Sequence, residues 1–326
     1  MTTIKDVAKQ ANVSVATVSR VLNQKGYVSK QAERSVKNAI KSLNYKPNAV
    51  ARSLYHKTSG IIGLFVPDIS NPFFPELARA VEDAATSEGF TVVLCNTDSK
   101  QEKEEKYIQV LQQKYADGLI IATGTDSIEH ILSTNIPVVA LDRYISDHIP
   151  TVVSSNKAGA IDATEHLIAQ GCQFIAHLRG PKGVTSADDR YTGFKQAIED
   201  HSIAHVVVEA GFEIGQSEVA TRNLFEKYPS IDGIFAGSDV TAAGAMRAAY
   251  QCKRAVPKDV KIIGFDGISL GEMLTPSLST IQQPIYEMGQ QAAKLLMMMI
   301  EKKELPSYWH EFSTTLKIRE TSTGSE

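Results

Sequence analysis

Between Ile61 and Phe265 short apolar runs alternate with stretches of helical periodicity, and few folds accommodate that alternation. Ile61 to Val66 is followed by a helical pattern over 73–88, Thr91 to Cys95 by one over 101–114, and Gly118 to Ala122 and Pro137 to Leu141 complete a first series. A second series runs through Gln173 to Leu178, helical 186–201, Val206 to Glu209, helical 215–227, Asp232 to Ala236, helical 239–252 and Lys261 to Phe265. Runs this short and apolar suit strands buried on both faces, and a helix between two of them returns the chain parallel to its last strand. Two such series predict two doubly wound parallel sheets. Open parallel sheets hold ligands beyond the carboxyl ends of their strands, so a small molecule between the two lobes is expected.

The first 60 residues are of another kind. They carry eleven Lys and Arg against Asp6 and Glu33, a net +9, whereas the whole chain is −3 and the remainder is therefore −12. A basic head on an acidic body predicts that the head meets a polyanion and the body does not. Thr3 caps a helix with Ile4, Val7 and Ala8 on one face and Asp6 in the capping-box place. Ala11-Asn12-Val13 turns the chain, and Ser14 caps a second helix with Val18, Val21 and Leu22 inward and Val15, Ala16, Ser19, Arg20 and Asn23 outward. Ser29 caps a third, whose Ala32, Val36, Ala39, Ile40 and Leu43 cover the other two. Two short helices joined by a tight turn make a helix-turn-helix, and small or polar outward residues fit a major groove. Asn48 then opens a helix of about two turns, too short to persist alone in water.

At these residues the chain resembles a known family. Ile4-Lys5-Asp6-Val7-Ala8, the stretch Val13-Ser14-Val15-Ala16-Thr17-Val18-Ser19-Arg20-Val21-Leu22-Asn23 and Asn48-Ala49-Val50-Ala51-Arg52-Ser53-Leu54 are similar to the lactose/galactose (LacI/GalR) repressor family, and the similarity covers essentially the whole chain. It implies a sequence-specific repressor that is not an enzyme and needs no cofactor. The implied fold is an all-α helix-turn-helix head over 1–46, a hinge helix and linker over 47–59, and an α/β body of periplasmic-binding-protein type over 60–326. The first lobe would take about 60–157 and 284–306, the second about 158–283 and 307–322, with Phe312 to Ile318 as one edge strand. The implied DNA contacts are Thr3, Ser14, Val15, Ala16, Thr17, Ser19, Arg20 and Asn23 in the head and Asn48, Ala51, Arg52 and Leu54 in the hinge. Leu54 stands where the family wedges a leucine into the minor groove, exchanging base unstacking for contacts on bent DNA.

Polar and aromatic residues follow the strands of the body, and their order is similar to that of periplasmic ribose-binding proteins, which share the two-lobed fold. The resemblance implies D-ribose or a related sugar as effector, with Phe73, Phe74 and Phe212 stacked on the ring. Asn71, Asp142, Arg143, Arg190, Asp266 and Gln283 would bond its hydroxyls, with Thr123 beside them. These residue types suit a polyol, since carboxylates accept, guanidinium donates in pairs and aromatic faces cover C–H surface. One position departs from the pattern: Ser238-Asp239 stands where the family has Asn-Asp, and the shorter Ser238 side chain drops one sugar contact or admits water.

Other classes find less support. The longest apolar run, Leu295 to Ile300, is far short of a membrane span and reads as helix core, and the N-terminus lacks the pattern of a secretory signal, so the expected place of work is the cytoplasm. Cys95, Cys172 and Cys252 are too scattered for a disulfide framework or a cysteine metal site. His201 and His205 straddle a helix end and a strand start, so no metal is expected there. Gly267-Ile268-Ser269-Leu270-Gly271 matches the hydrolase nucleophile elbow, but the histidine following it is His310, in a segment read as linker or edge strand. Within the repressor class, a catabolite-control type answering to a phosphocarrier protein and a purine-type answering to a corepressor remain alternatives, since aromatic pairs also suit a nucleobase. After Arg319 there are no leucine heptads, so a homodimer is expected.

Overall fold

In a computed structural model, residues 2–23, 26–45, 58–124 and 128–323 are described, with the Asn23 side chain left out. The hinge residues Asn48, Ala51, Arg52 and Leu54 lie outside the described residues. The chain divides into two units, 1–59 and 60–326.

In the first unit α1 (Ile4–Ala11), α2 (Val15–Asn23) and α3 (Lys30–Ser42) close on a small core in which Val7, Val18 and Val36 are fully buried. The caps follow the sequence. The Thr3 side chain accepts from the Asp6 N–H while Asp6 accepts from the Thr3 N–H at 2.8 Å, and Ser29 accepts from the Ala32 N–H. Asn12, at φ 53°, ends α1 in the left-handed conformation that asparagine tolerates better than most residues.

The second unit contains two six-stranded sheets. The first is built from β1 (Ile61–Val66), β2 (Thr91–Asn96), β3 (Gly118–Ile121), β4 (Val138–Leu141), β5 (Thr151–Ser154) and β11 (Trp309–Phe312), in the order β11-β5-β4-β3-β1-β2 and parallel throughout. One face is covered by helices Phe73–Ser87 and Ile285–Ile300, whose Leu77, Val81, Met288, Ala292 and Leu296 meet Ile62, Leu64 and Val66. Ile108, Leu111 and Ile131 cover the other. Burial on both faces is why β1, β3 and β4 read as apolar runs.

The second sheet contains β6 (Phe174–Arg179), β7 (Ala204–Glu209), β8 (Gly233–Ala236), β9 (Lys261–Asp266), β10 (Ser279–Gln282) and β12 (Thr315–Lys317), in the order β12-β10-β9-β8-β6-β7. Its pairings are parallel except β10 with β12. Helices Asn156–Ala169 and Thr185–His201 supply apolar residues to one core beside the sheet, and Ile214–Lys227 and Asp239–Gln251 supply the other.

The chain changes lobe three times, after β5, after β10 and between β11 and β12. The third change differs from expectation. Instead of one edge strand over Phe312 to Ile318, with everything from 307 on the second lobe, β11 pairs Trp309 with Thr151 and Phe312 with Ser154 on the first sheet, and β12 pairs Leu316 with Ile281 on the second. Both are edge strands, each covered by few neighbours, and Trp309-His310-Glu311-Phe312 therefore alternates half-buried with exposed rather than reading as an apolar run. Leu295, Leu296 and Met297 are buried on the first lobe, as helix core.

Gly289 lets helix Ile285–Ile300 approach helix Phe73–Ser87, because a Cβ there would lie 2.7 Å from the Ala80 Cβ and 3.0 Å from the Leu77 carbonyl oxygen. Gly289→Leu should destabilise the body by about 1–3 kcal/mol through overpacking, read as a lower midpoint in urea unfolding of the full chain.

Candidate ligand cleft and nucleic-acid interface

The loops that follow the parallel strands of the two sheets meet around a cavity of about 370 Å³, within the range of small-molecule sites. After β1, Asn71, Phe73 and Phe74 line it, with the two rings edge to face at 5.1 Å. The Asn71 side-chain oxygen accepts from the Phe73 N–H at 3.1 Å and so shapes the turn into the helix. Thr123 follows β3, Asp142 and Arg143 follow β4, and Asp266 ends β9. Arg190 reaches in from helix Thr185–His201. Phe212 follows β7 beside Gly180, where any Cβ would collide with the ring.

The centre of the cleft is electrostatic. Arg190 and Asp266, both nearly fully buried, pair at 3.2 Å. The same guanidinium donates to the Gly237 carbonyl at 2.6 Å and through Nε to the Asn156 side-chain oxygen at 2.8 Å. Asp142 is the complement: its Oδ1 is buried and has no hydrogen-bond partner among the described residues. Burial pushes its carboxyl up to about 7, Arg190 pulls the other way, and Asp266 and Asp189 add to the rise. Burial likewise lifts Asp266 to about 6 against the pull of Arg190 and Gln283. The Asp142 oxygen thus lacks a donor among the described residues, and a molecule rich in hydroxyls supplies one.

Nine of the eleven expected effector residues therefore border the cavity, and Ser238 and Gln283 do not. Ser238 is the N-cap of helix Asp239–Gln251, its hydroxyl accepting from the Thr241 N–H at 3.1 Å. Gln283 stands behind Asp266, donating to its Oδ1 at 2.7 Å while accepting from the Ser154 hydroxyl. Both positions pass the strand-end rule, but that rule does not say which side chains turn away. Residues missed by sequence reasoning include Asp68, Ser99, Thr185, Glu213 and Gln216, all on the cavity wall. The same strand-end rule could have found them. Each looks instead like an ordinary turn or cap, as Asp68 shows by accepting from the Ser70 N–H at 2.9 Å.

On the first unit, Val15, Ala16 and Arg20 of α2 are exposed, whereas Val18 is fully buried. The hydroxyls of Thr3, Ser14 and Thr17 are engaged in capping: Ser14 Oγ accepts from the Thr17 N–H at 3.1 Å and lies 2.9 Å from Thr17 Oγ1, and Thr3 Oγ1 donates to Asp6. Ser19 is half-buried beside them. The elbow-like Ser269 follows β9 on the second sheet, whereas His310 lies on β11 of the first and meets Gln291 and the Ser307 carbonyl, so they form no catalytic pair.

A family model described as periplasmic binding proteins and sugar binding domain of LacI family matches residues 59–315, and one described as bacterial regulatory proteins, lacI family, matches residues 3–48. The ribose operon repressor of Halalkalibacterium halodurans is 62% identical over 326 residues, covering 100% of this chain and 98% of its own. A LacI family transcriptional regulator from Enterococcus faecium with bound ribose has a TM-score of 0.75 at 31% identity, covering 82% of this chain and 100% of that one. The lac repressor dimer bound to operator and an anti-inducer has a TM-score of 0.88 at 28% identity over 98% of this chain and 99% of that one.

Because Asp142 has a folded-state value raised to about 7, the stability tied to its proton is fully present below its unfolded value of about 4 and is lost as pH rises through about 7. Asp142→Asn should therefore raise the melting temperature of the ligand-free protein at about pH 8 by several degrees and leave it little changed near pH 4. Melting curves at the two pH values check this.

Proposed function

The chain belongs to the LacI family of bacterial regulatory proteins, and from that premise we propose that it is the DNA-binding repressor of a ribose operon, relieved by D-ribose held between the lobes of its body. The observation that carries the proposal is the cleft, in which a buried Asp142 oxygen without a partner among the described residues, the Arg190 and Asp266 pair and three phenylalanine rings border one cavity. That set matches a pentose, whose hydroxyls bond the charged groups while its C–H face lies on the rings. The ribose-bound relative with the same fold supports the choice of sugar.

The head reads DNA through α2. Val15 and Ala16 suit apolar contact with thymine methyls, and Arg20 suits guanine or phosphate. Like the lac repressor in its operator complex, the protein works as a dimer, each protomer on one half of a pseudo-palindromic operator. The edge of the first sheet, where Val93 and Leu94 are exposed on β2, offers apolar surface to a second copy. No helix among the described residues is long and apolar enough to cross a membrane, and its site of action is the operator in the cytoplasm.

Release follows from how the cleft is wired. Asp266 is tied through Gln283 to Ser154, and Arg190 is bonded to Asn156, so both charged ligand contacts reach the segments where the chain changes lobe. A sugar that bonds Asp266 and Arg190 better in one lobe arrangement than the other shifts the population toward it, and one with equal affinity for both shifts nothing. A coupling of about 1–3 kcal/mol gives a roughly 5- to 150-fold loss of operator affinity.

Calorimetry with D-ribose and an operator gel shift with and without the sugar test the proposal. Purified protein should give heat and release operator; the absence of both would refute the proposal, and tighter operator binding with a purine would favour a corepressor in place of ribose. Asp266→Ala should cost about 1–3 kcal/mol or more of ribose affinity and leave operator binding intact without sugar, a repressor that cannot be relieved. Arg20→Ala should lower operator affinity by about 1–3 kcal/mol if the side chain reads a base edge, and binding should weaken steeply with salt in either case. Leu54→Ala, in the undescribed hinge, should spare ribose binding and reduce both operator affinity and DNA bending, seen by circular-permutation gel shift.

A further inference from the structure

Behind the wall of the cleft lies a buried group of polar side chains that the proposal above does not use. Glu104, on helix Gln101–Gln113, is fully buried. Its Oε2 accepts from the Thr123 hydroxyl, and its Oε1 lies 2.6 Å from His130 Nε2. Thr123 borders the cavity, and its carbonyl accepts from the Arg143 guanidinium, which borders the cavity too. A buried carboxylate in an apolar helix face is costly unless something compensates it. Here Thr123 and His130 are hydrogen-bonding partners to it, and it feels the field of Arg143, whose guanidinium burial pushes below its usual value and Glu104 pulls back up.

The arrangement has a consequence for ligand charge. Asp68, Asp142, Glu213 and Asp266 line the cavity against Arg143 and Arg190, and no lysine is among its described lining residues. Arg190 is matched by Asp266, and Arg143 is held to the Thr123 carbonyl with the Glu104 charge behind it. A phosphate ester entering this cleft would meet more negative than positive charge, with the two guanidinium groups already engaged. An uncharged polyol meets the same groups as hydrogen-bond partners and loses nothing to repulsion.

We propose that Glu104 is a positioning residue which, by holding Thr123 and balancing Arg143 from behind the wall, makes the cleft selective for an uncharged sugar over its phosphate ester. The inference rests on ribose occupying the cleft. Without the Glu104 charge, Arg143 would carry a net positive field into the cavity and accept the phosphate that it otherwise turns away.

The test is calorimetry on the full chain with D-ribose and D-ribose 5-phosphate. Wild type should bind ribose at least about 100-fold more tightly than the phosphate, equivalent to about 2.7 kcal/mol. Glu104→Gln keeps the size and loses the charge, so ribose affinity should fall several-fold, phosphate affinity should rise, and the ratio of the two should shrink by about tenfold or more. Glu104→Asp keeps the charge but shortens the reach to Thr123; it should weaken ribose binding with the ratio preserved, and it carries the test should Glu104→Gln fail to fold. Equal losses for both compounds in Glu104→Gln, or a ratio in Glu104→Asp that collapses toward unity, would make Glu104 a merely structural residue and overturn the proposal. Wild type binding the phosphate as tightly as ribose would also overturn it, with ribose recognition still standing. No heat from wild type with either compound would instead remove the ribose reading, and this inference with it.

Discussion

The buried pair of Arg190 and Asp266 is the contact on which the rest of the body depends. Arg190 comes from a helix beside the second sheet and Asp266 from the end of a strand within it, yet besides the Gly237 carbonyl at the end of β8 they have partners in Asn156 and, through Gln283, in Ser154. Those partners lie where the chain passes from one lobe to the other. A buried ion pair is weak evidence of stability, because desolvation offsets much of its attraction, but it fixes geometry when every donor and acceptor has a set partner. Here it makes two charged groups of the cavity wall and the lobe crossings parts of one network.

The carboxylates around that pair explain how the cleft can be both stable and responsive. Asp142 and Asp266 are raised by burial, and Asp239, also buried, is raised further with Asp266 as a neighbour while accepting from the Gly267 and Ile268 N–H groups at 2.8 and 2.9 Å. The turn that presents Asp266 is therefore held by a second carboxylate below it. Among these carboxylates it is the Asp142 Oδ1 that has no donor among the described residues and is left to accept from a hydroxyl-rich ligand. Such a bond biases the lobe arrangement when it is stronger in one arrangement than in the other.

Much of this was legible in the linear chain. The short apolar runs placed the first four strands of each sheet to within two residues, most plainly where burial on both faces leaves an unbroken apolar stretch. The caps at Thr3, Ser14 and Ser29 were equally plain, since a hydroxyl three residues before an unsatisfied N–H has a local role that distance in the fold cannot alter. The strand-end rule gathered Asn71, Phe73, Phe74, Thr123, Asp142, Arg143, Arg190, Phe212 and Asp266 from nearly 200 residues of sequence around one cavity. Where the chain lacked such patterns the reading failed, as at β11, whose half-exposed edge residues carry too little burial to mark them.

By itself, then, the sequence determined what is periodic or local: the two series of strands and helices, the head with its caps and its charge of +9, and the strand ends that border the cavity. The tertiary structure decided which way individual side chains turn and what they meet across the fold. It turned Ser238 into a cap, set Gln283 behind Asp266 rather than beside the cavity, and split the terminal segment between two sheets. It also brought Glu104 and His130, 26 positions apart, onto the back of the wall formed by Thr123. The physical reason is range: periodicity and capping act over a few residues, whereas a buried polar group takes its partner from whatever the packed chain brings within about 3 Å, and no local pattern encodes that choice.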